Sequence, residues 1–127
     1  NINDMYKFKT PALRNVSLTA PYGHNGAYPT LKSIIKHHLN PIKMNKNWKP
    51  EYANLPKATW LEEIDFVTFS DKREQDRILS SIDIQPIELN DKEIDELVSF
   101  LKSLTGRSGN QRPLGKPDKV PSGLSID

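Results

Sequence analysis

The stretch from Leu89 to Gly106, LNDKEIDELVSFLKSLTG, limits the fold more than any other part of the chain. Ile94, Leu97, Val98, Leu101 and Leu104 recur at helical spacing, so one face of a helix must find an apolar partner. Asn90 is placed to cap it, with Glu93 completing a capping box, and Gly106 is expected as the left-handed residue past its end. Two shorter segments carry the same period. LKSIIKHHL is capped by Thr30 and stopped at Asn40-Pro41, since a residue before proline resists helical dihedrals. SDKREQDRILSSI is expected to be capped at Ser70, with Ile78, Leu79 and Ile82 inward. TWLEEIDFVTF fits a helix from Thr59 or a short strand. These elements predict an all-α fold of three or four helices joined by long ordered loops.

The loops are the second constraint. The first 29 residues have little periodicity and at most one helical turn near Leu13 to Val16. Within them, APYGHNGAYP holds Gly23 and Gly26 at turns where backbone can approach a ligand closely. PIKMNKNWKPEYANLP, with three prolines, is expected to be mostly extended or irregular. Residues 106–127 are rich in Gly, Pro and Ser and read as a tail following a domain of residues 1–105. A compact domain seldom needs a structureless loop of about 25 residues, so an ordered one is expected to line a cofactor, an ion or another domain.

A chain of 127 residues with 35% hydrophobic and 27% charged residues fits one modest core. Charges look mixed in sign along it, and no basic run with interleaved aromatics points to nucleic acid. No apolar run approaches the ~18 residues of a membrane span, and no signal peptide is visible. Cysteine is absent, which removes thiolate metal sites, disulfides and cysteine nucleophiles from these residues. Of the three histidines, His37 and His38 are adjacent in one helix and diverge by about 100°, so they cannot easily share one ion. A mononuclear zinc enzyme is therefore not expected.

His38 falls near the middle of the apolar face formed by Leu31, Ile34, Ile35 and Leu39, with His37 at its edge. An imidazole at that place needs a partner. A core histidine bonded to a carbonyl is one reading, and a ligand to a buried metal or cofactor is the other.

FKTPALRNVSLTAPYGHNGAYPTLKSIIKHH, from Phe8 to His38, resembles the second half of the C-terminal haem domain of bacterial di-haem cytochrome c peroxidases and their methylamine-related branch. LNDKEIDELVSFLKSLTG resembles the closing helix of that domain. The resemblance implies a cytochrome c-like domain whose haem-attachment half is missing, because no C-x-x-C-H occurs in this sequence. It implies that His38, fourteen positions after His24, is the distal axial ligand of the electron-transfer haem, with Met44 as a rival. Bis-histidine ligation would lower the potential relative to His/Met. It also implies that Arg14, Tyr22 and His24 lie against haem c, and that backbone carbonyls of Thr19 and Pro21 help bind calcium. The expected function is then that of a fragment of a periplasmic oxidoreductase, which alone is inactive. Its partners would be the haem-bearing N-terminal portion, a small electron-donor protein and hydrogen peroxide, or a protein substrate for oxidation. A haem-free interaction module on the same scaffold is the alternative. Trp48 and Trp60 read as packing residues more than electron carriers.

Overall fold

Four of the helices begin where a polar side chain can take up orphaned amides. In the computed structural model, which describes residues 4–55 and 64–107, α1 spans Leu31–Leu39. Thr30 and Ser33 form a reciprocal capping box at its start. α5, Asp91–Ser103, opens on the expected box, with Asn90 Oδ1 accepting from the Glu93 amide and Glu93 accepting from the Asn90 amide. α4, Lys72–Ser80, is capped one residue later than expected, by Asp71. Its carboxylate accepts from the amides of Arg73 and Glu74 at 2.9 and 3.4 Å, and an anion suits a helix N-terminus better than a hydroxyl does. Ser70 instead closes the single turn α3, Val67–Ser70. The expected start of that segment at Thr59, together with Trp60, lies outside the described residues.

The irregular stretch expected after Pro41 is in fact helical at its start. α2 spans Pro41–Asn47, directly after α1. Asn40 ends α1 by donating its amide to Lys36 O and starts α2 by accepting from the Lys43 amide. Proline at the first helical position has no amide that the helix would use, so Pro41 favours the start it was expected to prevent. Short 3-10 turns occur at Val16–Leu18 and Pro50–Tyr52. Among the described residues there is no strand, only one bridged pair, Tyr22 with Tyr28.

That pair closes the loop between them, with backbone bonds of 2.7 and 3.1 Å. Gly26, at φ +69°, makes the return possible: a Cβ there would sit 3.1 Å from Pro21 Cγ. Tyr22, Tyr28 and Leu31 form the core cluster, packed by Val16, Ala27, Ile34, Met44, Trp48, Val98 and Leu101. Met44 thus fills a gap in the core from α2, the use expected of an unbranched, adaptable side chain. Ile35 and Ile94 are buried as well.

The first loop is tied to the far end of the chain by Asn15. Its amide donates to Leu104 O, and its side-chain oxygen accepts from the Gly106 amide at 2.8 Å. Gly106 is therefore not the left-handed stop expected of it: positive φ among the described glycines belongs to Gly23 and Gly26. α5 ends by tightening at Leu104, whose amide bonds back to Leu101 O, which leaves the glycine amide free for Asn15. The tail expected from residue 106 lies outside the described residues from 108 onward.

Candidate functional site

Near the C-terminus of α1 the exposures of the two histidines are the reverse of what periodicity suggests. His37 is half-buried and His38 is exposed. The spacing on α1 is as expected, since Leu31 and Ile35 face inward. What spacing does not record is which part of that face the neighbours cover. Tyr28, 7% exposed, lies just before the helix and turns its hydroxyl to His37 Nδ1 at 2.8 Å. The two rings lie 4.9 Å apart. No comparable group among the described residues reaches His38, whose ring meets only the edge of His37 at 5.7 Å and 70°.

The electrostatics follow from the packing. Burial pushes the His37 imidazole below its ordinary range, and the neighbouring His38 adds to this, so His37 is neutral at pH 7. Burial raises the Tyr28 phenol, which stays protonated and available to the imidazole. His37 is thus occupied by the fold, while His38 has a ring with no bonding partner described. An imidazole ring so placed can offer a nitrogen to a metal or a haem iron.

The other residues singled out in the sequence fall in several places. Tyr22 is buried in the core, and its hydroxyl donates to Val16 O at 3.0 Å, so its polar end serves the loop. His24 is exposed and stacks on Phe8, with ring centroids 4.5 Å apart. Arg14 is exposed. Thr19 and Pro21 are exposed beside a cis Ala20–Pro21 peptide, and the Thr19 hydroxyl donates to Val16 O. Among the described residues, no group of three or more His, Cys, Asp or Glu is arranged to hold a metal ion. Tyr28 is the residue that sequence reasoning passed over. Its signal was a tyrosine two positions before the Thr30 cap, close enough to fold back on the helix it precedes.

The chain is similar to the methylamine utilization protein MauG of Paracoccus denitrificans, with 36% identity over 104 residues, 80% of this chain and 23% of that protein. It is also similar to the cytochrome-c peroxidase IdrP1 of a Pseudomonas species, with 46% identity over 35 residues. These matches agree with the resemblance to the di-haem cytochrome c peroxidase superfamily. The MauG of Methylophilus methylotrophus is 33% identical over 64 residues, half of this chain. No family model and no solved structure matches. The chain spans less than a quarter of the length of the curated relatives it matches. The superfamily is one of haem c oxidoreductases, and its all-α character agrees with the helices described above. No helix among the described residues is long and apolar enough to cross a membrane.

Proposed function

We propose that this chain forms the distal wall of the electron-transfer haem in a di-haem peroxidase-like oxidoreductase, with His38 as the axial ligand. The observation that carries the reading is the contrast between two adjacent imidazoles. His37 is bonded to Tyr28, and His38 is held exposed beside it without a described partner. A histidine kept at the end of a capped helix, with its ring free, fits an axial donor better than a core residue.

The residues present fit one side of a haem and not its attachment. With no cysteine in 127 residues, the thioether bonds and the proximal ligand must come from other chain. A haem bound here would supply one-electron transfer at a potential that two imidazoles set lower than imidazole and thioether would. Exposed Arg14 is available to a propionate, and His24, backed by Phe8, to the haem edge. Calcium at the Thr19 and Pro21 carbonyls would need further oxygen ligands from outside these residues. Reduction of hydrogen peroxide or oxidation of a protein, a periplasmic location and a small electron-donor protein complete the proposal.

The test is His38→Met in the intact haem-bearing protein, read by absorption and electron paramagnetic resonance. The expected result is a changed low-spin signature and a higher reduction potential. An unchanged spectrum and potential would remove His38 from the iron.

A further inference from the structure

The mixed charge expected along the whole chain does not hold for its first part. Residues 5–50 contain eight lysines and arginines and no aspartate or glutamate, whereas residues 51–107 contain seven cations and thirteen carboxylates. Folding brings the two parts together and neutralises some of this contrast. Lys7 pairs with Asp83 at 2.7 Å, Lys32 with Asp95 at 2.7 Å, and Lys36 approaches Asp91 at 3.8 Å. Lys43 and Lys46 on α2, and Lys49 just after it, are exposed and form no ion pair among the described residues.

These three lysines stand on a fixed base. Pro41 and Met44 turn the inner side of α2 to the core, which leaves Lys43 and Lys46, three residues apart, on its outer side. The chain leaving α2 is held by Trp48, whose Nε1 donates to Ala27 O at 2.9 Å. α2 starts three residues after His38.

We propose that Lys43, Lys46 and Lys49 form the docking face for an acidic protein, the electron donor of the function proposed above, on which this inference rests. Uncompensated cations on an ordered element steer an oppositely charged partner and set its register. Nucleic acid fits less well. Trp48, the nearby aromatic, is half-buried against Phe69 at 5.0 Å and cannot stack a base. An anionic lipid surface also fits less well, because the exposed residues of α2 are Lys43, Lys46 and Asn47, and the apolar Ile42 beside them is half-buried.

The experiment measures binding of poly-L-glutamate to the intact protein by anisotropy at low and high ionic strength. The expected result is binding that falls with salt. Lys43→Glu/Lys46→Glu/Lys49→Glu should weaken it about tenfold or more at low salt. The triple Gln variant should weaken it less, and Lys102→Glu on α5 should leave it unchanged. Equal binding by the triple Glu variant overturns the proposal. So does tighter binding of duplex DNA or phosphatidylglycerol vesicles than of poly-L-glutamate. His38→Met should leave this binding intact, so a failed ligand assignment and a failed docking face give different results.

Discussion

Tyr28 does two things at once. Its backbone closes the loop against Tyr22, and its hydroxyl holds the His37 ring. Tyr28→Phe keeps the ring and the loop but leaves His37 Nδ1 unpaired and half-buried. The expected cost is about 1 kcal/mol, measured by denaturant unfolding. Because burial raises the Tyr28 phenol, the unfolded chain releases that proton first as the solution becomes alkaline. The stabilisation is complete below about pH 10 and is lost as pH rises through the folded value. Melting temperatures between pH 9 and 11 should fall less steeply in Tyr28→Phe than in the parent. Tyr22, raised by the same cause, keeps some slope in both. The axial role given to His38 predicts a further change in the variant: its low-spin signals should broaden as His37, the ring that His38 leans on, loses its tether.

Among the elements, α5 was the most legible in the sequence, and the reason is local. A capping box and a repeat of apolar residues are decided by neighbours three and four positions away. Asn90→Ala should therefore cost about 1 kcal/mol, and Ile94→Ala, at 4% exposure, about 2–5 kcal/mol, both by denaturant unfolding. Elements decided by distant contacts were not legible. Pro41 looked like an interruption until Asn40 was seen capping the helix that starts there. Gly106 looked like a helix stop because nothing near it in sequence announces that Asn15 takes its amide. The histidine pair was half legible: the face was predicted from spacing, and its cover was not, because Tyr28 folds back from outside the helix. Leu97 shows the same limit, lying on the apolar stripe of α5 yet remaining 38% exposed.

At the scale of the whole molecule, more large apolar side chains are exposed than buried among the described residues. Phe8, Leu13, Leu18, Leu97 and Phe100 are all exposed, and a single closed domain of this length rarely leaves so many large apolar side chains in water. Such a surface is either covered by other protein or left solvated. Phe100→Glu in the intact protein separates the two possibilities. If other chain covers α5, the variant should lose more than about 2 kcal/mol by denaturant unfolding; a solvated Phe100 would shift stability by at most about 0.5 kcal/mol. The two proposed working surfaces lie on either side of Asn40, which belongs to the end of one helix and the beginning of the next. One residue separates the two helices there, so the placing of the imidazole and that of the lysines are set by the same elbow. A glycine inserted there would leave every side chain in place in the sequence and still turn an arriving protein away from the ring it is meant to reach.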